Sequence, residues 1–215
     1  MSAYLPDLET TPRLAALAAL SDPLPGYLEP GVGPILYQVA RDLVPGQRVV
    51  ELAVASGKLS IWLAAGVRDR AHGRFVAVDS WAAPATALGG FGLPSASVGD
   101  PLLDDYKSLL AKADALDCVD IVRGDLVEQG LRWSGGICIG LLSLPALRNY
   151  LKLRHVLEAW SRFLVVGGLI VFDAVPGVPE ATRLAMELPG WMRWYRNCLG
   201  KWIVIKVDQP YAVQK

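Results

Sequence analysis

Two hydrophobic rhythms alternate along this chain. Short apolar runs at 48–53, 74–79, 119–122, 136–142 and 169–172 read as core strands. Between them, apolar positions recur at helical spacing over 58–66, 102–116, 126–129 and 144–163. The longest of these predicted helices puts Leu147, Leu151, Val156, Trp160 and Phe163 on or near one stripe. Two amphipathic helices precede the first strand. One covers 11–20, with Pro12 suited to its first turn, and the other covers 33–43, stopped by Pro45-Gly46. Pro23, Pro25, Gly26 and Pro30 make a loop between them. Near the far end, 179–188 is helical and bounded by Pro189-Gly190. The runs 191–195 and 202–207, split by Leu199-Gly200, predict an antiparallel pair at the sheet edge. One stretch has neither rhythm. Residues 80–101 are rich in Gly, Ala, Pro and Ser, and such a long loop reads as a lid, a binding loop, disorder or a tolerated surface insertion.

Strands alternating with helices predict an α/β fold. The expected architecture is a Rossmann-like, mostly parallel sheet with helices on both faces and an antiparallel C-terminal strand pair. Residues 1–46 would form an N-terminal helical cap, and 47–215 the Rossmann-like domain, together one globular unit. Composition agrees with a folded globular chain, 53% hydrophobic and 20% charged. Lys+Arg and Asp+Glu each number 21, so no general attraction to nucleic acid or an anionic membrane is expected. No apolar run reaches the roughly 18 residues of a membrane span. Cys118, Cys138 and Cys198 are too scattered for a disulfide framework or a zinc site and point to a reducing compartment. No basic-then-apolar leader opens the chain, where Ser2, Asp7 and Glu9 stand. The expected location is cytoplasmic.

In such sheets ligands bind beyond the carboxyl ends of the strands, near the point where strand order reverses. Glu51 lies in an otherwise apolar first strand, where an unpaired charge would be costly. It can accept hydrogen bonds from the following turn or from a ligand's amino group. The turn, Ala53 to Gly57, has one glycine, which fits neither the G-x-G-x-x-G of a dinucleotide site nor a phosphate-binding P-loop. Asp79 ends the second strand, where a carboxylate can take both hydroxyls of a ribose or cap the following loop. Asp125 follows the third strand and reads equally as a partner for an adenine amino group or as a helix N-cap. Trp62 and Trp160 fall in helices and read as core. Trp81, at the mouth of the site, is a candidate to pack against a nucleoside or shape the pocket. Trp191, Trp194 and Trp202 read as an interface between copies or as edge packing. His155 is predicted to share a helical face with Arg148, about 10 Å along the axis, and reads as a surface residue, as does His72.

The order of these residues resembles a known family. Val49-Val50-Glu51-Leu52-Ala53 through Gly57 and Ser60, then Val76-Ala77-Val78-Asp79-Ser80-Trp81, resemble the first two motifs of class I S-adenosylmethionine-dependent methyltransferases. The chain is most similar to the small O-methyltransferase-like group that includes cephalosporin and macrolide-sugar tailoring enzymes. The likeness continues through Arg123-Gly124-Asp125, Leu157-Glu158-Ala159-Trp160 and Gly167-Gly168-Leu169-Ile170-Val171-Phe172-Asp173, spanning most of 31–207. It implies S-adenosylmethionine as cofactor, held by Glu51, Ala53, Ser56, Gly57, Ser60, Asp79, Ser80, Trp81, Asp125 and Leu126. It also implies O-methylation of a small molecule.

Departures from that pattern change the expected chemistry. Ala53 stands where the family has the first turn glycine. The family's I-D-G-x-H-x-Y, aligned on Tyr150, puts Pro145 at the acid and Arg148 at the histidine. After the fifth strand Asp173-Ala174 keeps one carboxylate of a pair. A divalent cation needs several oxygen ligands, so a metal-independent reaction is expected. Asp173 and Arg148 are the remaining catalytic candidates, the first as a base or orienting acid, the second holding an anionic substrate or an oxyanion. The alternatives are a non-methylating enzyme on the same fold, such as a cyclase, or a catalytically inactive binding or scaffold protein.

Overall fold

The computed structural model describes residues 11–26, 28–81, 100–145, 147–173, 179–187, 190, 192–198 and 201–206. Helices α1 (Pro12–Ser21) and α2 (Val32–Arg41) lead into β1 (Arg48–Leu52), α3 (Ser60–Asp69), β2 (Phe75–Asp79) and α4 (Asp100–Lys112). A short 3₁₀ turn then leads to β3 (Val119–Arg123), α5 (Leu126–Leu131), β4 (Ile139–Leu144), α6 (Tyr150–Ser161) and β5 (Leu164–Asp173). Helix α7 (Pro179–Met186) and strands β6 (Met192–Cys198) and β7 (Lys201–Lys206) follow.

The sheet runs β3-β2-β1-β4-β5-β7-β6. β1 to β5 are parallel, β7 lies antiparallel to β5, and β6 antiparallel to β7. From β1 the chain moves one way to β2 and β3, then returns to place β4 on β1's other side. That reversal opens a crevice at the carboxyl ends of β1 and β4, where α/β sheets bind ligands.

Side chains alternate across the sheet and divide the core. Val49, Ala77, Leu141 and Val171 pack with α1 to α4, whereas Val50, Val76, Val78, Leu142 and Phe172 pack with α5 and α6. On the first side, α2 and α3 approach closely because Gly33 has no side chain; a Cβ there would stand 2.2 Å from the Trp62 ring. Trp62 and Trp160 are core residues, each with its indole N–H bonded, to Ser21 Oγ at 3.1 Å and to the Leu126 carbonyl at 2.8 Å. No helix among the described residues is long and apolar enough to cross a membrane.

Two elements differ from expectation. Helix α6 begins at Tyr150, not near Leu144. Leu144 still pairs with Phe172 in the sheet, Pro145 has no amide to offer a helix, and Asn149 caps the helix by accepting from the Lys152 amide at 3.0 Å. Arg148 therefore precedes the helix and shares no helical face with His155. Leu151 leaves the predicted stripe and is 62% exposed. Strand β5 is longer than its predicted run because it continues through Gly167-Gly168. Gly167 takes a left-handed φ of 83°, and between the Leu164 and Leu169 pairings β5 advances five residues against two on β4, a local irregularity instead of a break.

Candidate active site

Strand β1 delivers Glu51 to the crevice floor. Its carboxylate is 4% exposed and accepts a hydrogen bond from the Ser60 hydroxyl at 2.6 Å. Ser60, the first residue of α3, is itself fully buried. This partner offsets part of the cost of a carboxylate inside an apolar strand. Ser143, the β4 residue opposite Glu51, is also buried, so polar groups meet across the central strand pair.

The β1–α3 turn takes left-handed backbone at alternate residues: Ala53 at φ 59°, Ala55 at 51° and Gly57 at 80°. For each alanine this costs roughly 1–2 kcal/mol, and surrounding hydrogen bonds hold the shape. Ala53 N–H donates to the Val78 carbonyl at 2.8 Å and Gly57 N–H to the Val54 carbonyl at 2.9 Å. The Ser56 hydroxyl donates outward to the Pro25 carbonyl at 2.6 Å, and Lys58 Nζ reaches the Leu24 carbonyl at 2.9 Å. Ser56, expected at the cofactor, thus spends its hydroxyl strapping the turn to the α1–α2 connection. Gly57 is required by its φ and by α4, since a Cβ there would lie 2.9 Å from Leu109 and 3.0 Å from Tyr106.

Asp79 bridges two strand ends. Its Oδ2 accepts from Ala55 N–H at 3.2 Å and its Oδ1 from Trp81 N–H at 2.9 Å, which fixes the carboxylate while leaving lone pairs for a ligand. Trp81 is left-handed at φ 47°, and its ring turns into the core, 1% exposed, with its centroid 5.9 Å from that of Tyr106. The indole therefore offers no open stacking face. The Ser80 carbonyl accepts from Arg123 Nε at 3.3 Å, and Arg123 also pairs with Asp100 at 2.6 Å. Asp125 is the N-cap of α5, its Oδ1 accepting from Val127 N–H at 2.8 Å and Glu128 N–H at 3.2 Å. Lys152 Nζ lies 3.7 Å from its other oxygen. Leu126 behind it is buried.

Across the crevice, Arg148 is exposed between β4 and α6. Asp173 ends β5 opposite Lys201 of β7, and its side chain lies outside the described residues. Tyr150 donates its hydroxyl to Glu187, and Arg183 stacks its guanidinium 4.0 Å from the Tyr150 ring centre while bonding Glu187 at 2.9 Å. The Glu187 bond, first among the causes, raises the tyrosine's pKa. His155 and His72 are both exposed. Residues 82–99 of the Gly-rich stretch, and the side chains of Trp191, Trp194 and Trp202, lie outside the described residues. Among the described residues no three His, Cys, Asp or Glu side chains stand together as a metal site requires.

Sequence reasoning missed Tyr106. It was visible as the one polar handle in the stripe Leu102, Tyr106, Leu110 of α4, all three buried.

The donor set suits a particular kind of ligand. Two buried acids at adjacent strand ends present acceptor oxygens, so they match hydroxyls and an ammonium group, not a pyrophosphate. The sequence model of the methyltransferase domain family matches residues 50–175, more than half of the chain. The chain belongs to that family. No curated protein matches this methyltransferase. Solved structures do. TomG from Streptomyces achromogenes, an O-methyltransferase of tomaymycin synthesis in complex with SAM, is 17% identical over 93% of this chain and 92% of its own, with TM-score 0.64. The O-methyltransferase from Bacillus cereus in complex with SAH is 15% identical over 94% of each chain, with TM-score 0.61. Cofactor-bound Rv0187 from MTB is 19% identical over 94% of this chain and 93% of that one, with TM-score 0.64. The likeness to these structures is one of fold.

Proposed function

We propose that this methyltransferase uses S-adenosylmethionine to methylate an oxygen of a small molecule, without a divalent metal. The observation that carries the reading is the pair Glu51 and Asp79: two buried acids near the ends of neighbouring strands β1 and β2, one held by Ser60 and the other clamped by two backbone amides. Asp79 would take the ribose hydroxyls and Glu51 the ammonium group of the cofactor's amino-acid part. The Ala53–Gly57 turn would run beside that part, and Asp125 and Leu126 would flank the adenine. Ser80 and Trp81 would shape the pocket floor, with Ser56 and Ser60 fixing the turn and Glu51 from behind.

When bound, the cofactor supplies an electrophilic methyl group on sulfur. The chain's own task is then alignment, which can account for a large share of such a reaction's acceleration. Arg148 would hold an anionic part of the substrate, and Asp173 would orient the accepting hydroxyl or take its proton. Independence from metal is supported by Pro145, Arg148 and Ala174 at the positions where related enzymes carry the acid, histidine and second carboxylate. The chain's balance of charges argues against nucleic acid or a membrane as partner.

Calorimetric titration with S-adenosylmethionine and S-adenosylhomocysteine tests the reading. Binding of both is expected, and any methyl transfer should persist in EDTA. Absence of binding at millimolar ligand would sink the cofactor assignment, and activity lost in EDTA and restored by magnesium would sink the metal argument. A second reading, cofactor binding without transfer, is favoured by the same replacements at 145 and 148. It predicts binding with no methylated product from any hydroxylated acceptor.

A further inference from the structure

Tyr106, at the centre of α4, has no place in the cofactor reading so far. It is 1% exposed, and among the described residues its hydroxyl has no hydrogen-bond partner. The ring lies under the β1–α3 turn, where its edge fills the space a Gly57 side chain would need, and meets Trp81 on its other side. A buried hydroxyl without a partner is unusual in a packed core and calls for an explanation.

The charges that act on that hydroxyl are the Glu51 and Asp79 carboxylates. Burial first, then the charge of Glu51, holds the phenol well above the usual tyrosine pKa; the neighbouring Ser60 hydroxyl pulls it down and Asp79 raises it further. Tyr106 therefore keeps its proton and has it to donate. Ser60 gives its own proton to Glu51 at 2.6 Å, so the Ser60 oxygen can accept another.

We propose that Tyr106 is a positioning residue of the cofactor site, the start of a relay from its hydroxyl to Ser60 and from Ser60 to the Glu51 carboxylate. The relay would aim Glu51 at the ammonium group of a nucleoside ligand bearing an amino acid. The Ser60–Glu51 link is closed at 2.6 Å, and the Ser60 oxygen is the acceptor that the Tyr106 hydroxyl would take. This inference rests on the proposed role of Glu51 toward S-adenosylmethionine. Hydrogen bonds in series polarise one another, so the distal hydroxyl strengthens the pairing at Glu51 without touching the ligand.

The test uses the full chain and two ligands. S-adenosylhomocysteine carries the ammonium group, and methylthioadenosine keeps adenine and ribose but lacks the amino acid. In Tyr106→Phe, affinity for S-adenosylhomocysteine should fall about five- to tenfold, the loss of one hydrogen bond, with methylthioadenosine unchanged within about twofold. Ser60→Ala should show the same selectivity, and the double variant should be no weaker than Ser60→Ala alone, as expected for a relay. The melting temperature of ligand-free Tyr106→Phe should hold or rise, because an unpartnered buried hydroxyl has been removed. Equal losses for both ligands, additive losses in the double variant, or no loss at all would overturn the relay. Wild-type protein that binds neither ligand would overturn the cofactor reading and the relay with it. If Tyr106→Phe folds poorly, Ser60→Ala decides the matter, since an equal loss for both ligands rules the relay out.

Discussion

Asp79→Asn is the most informative single change, because it alters charge and one acceptor while keeping shape. In the native chain both carboxylate oxygens are used, Oδ1 by Trp81 N–H at 2.9 Å and Oδ2 by Ala55 N–H at 3.2 Å. Asparagine can keep the first bond. At the second it would turn an NH₂ toward an N–H in a site only 6% exposed. Losing that charge-assisted bond and leaving a buried donor unpaired should cost roughly 2–3 kcal/mol. For a chain of this size each kcal/mol lowers the melting temperature by about 2–4 °C, so a fall of about 4–12 °C is expected by scanning calorimetry. The ribose contact should suffer separately, because an amide is a poorer partner for two hydroxyls than a carboxylate. A loss of about a hundredfold in S-adenosylhomocysteine affinity corresponds to about 2.7 kcal/mol. Calorimetric titration well below the melting temperature separates the two effects. If the variant binds within about threefold of wild type, the assignment of Asp79 to the ribose is wrong; if its melting temperature does not move, the bridging role is wrong.

Other outcomes follow from the same geometry. Ala53→Gly should stabilise the ligand-free protein by about 0.5–1 kcal/mol, because relief of the left-handed strain exceeds the added freedom of the unfolded chain; urea denaturation giving a less stable variant would contradict this. Arg148→Gln should raise the KM for an anionic acceptor while leaving S-adenosylhomocysteine affinity unchanged, and steady-state kinetics with parallel titration checks the split. Burial pushes the Cys118 thiol from 9.0 up to about 11. Its contribution to stability should therefore be complete below pH 9.0 and fade as the pH climbs toward about 11. Urea midpoints across that range should fall more steeply in wild type than in Cys118→Ala.

Much of the scaffold was legible because burial is periodic. Strands β1 to β3 and helices α1 to α3 fall within a few residues of their predicted limits, since each is punctuated by Pro, Gly or an acid. The acids at 51 and 79 were legible for a related reason: a charge inside or ending an apolar run stands out against its neighbours. The start of α6 was not legible, since Leu144 to Phe163 is continuously rich in apolar residues and only the pairing of Leu144 with Phe172 keeps its first residues in the sheet. Likewise, Gly167-Gly168 reads as a strand boundary until the β4 ladder is seen to resume beyond it.

The site divides the same way. Sequence alone determined the order of elements, the family likeness and the presence of acids at two strand ends, because these depend on local residue type and spacing. Tertiary structure decided where the side chains point. Trp81 turns inward because its backbone is left-handed and its amide is pinned by Asp79. Ser56 faces the α1–α2 loop and Ser60 faces Glu51, although only three residues separate them. Asp125 caps α5 through its Oδ1, a contact that spacing left open. Tyr106, far along the chain, joins the group only through the packing of α4 under Gly57. Each depends on a contact between residues distant in sequence or on an uncommon backbone conformation, and neither leaves a periodic mark in the sequence.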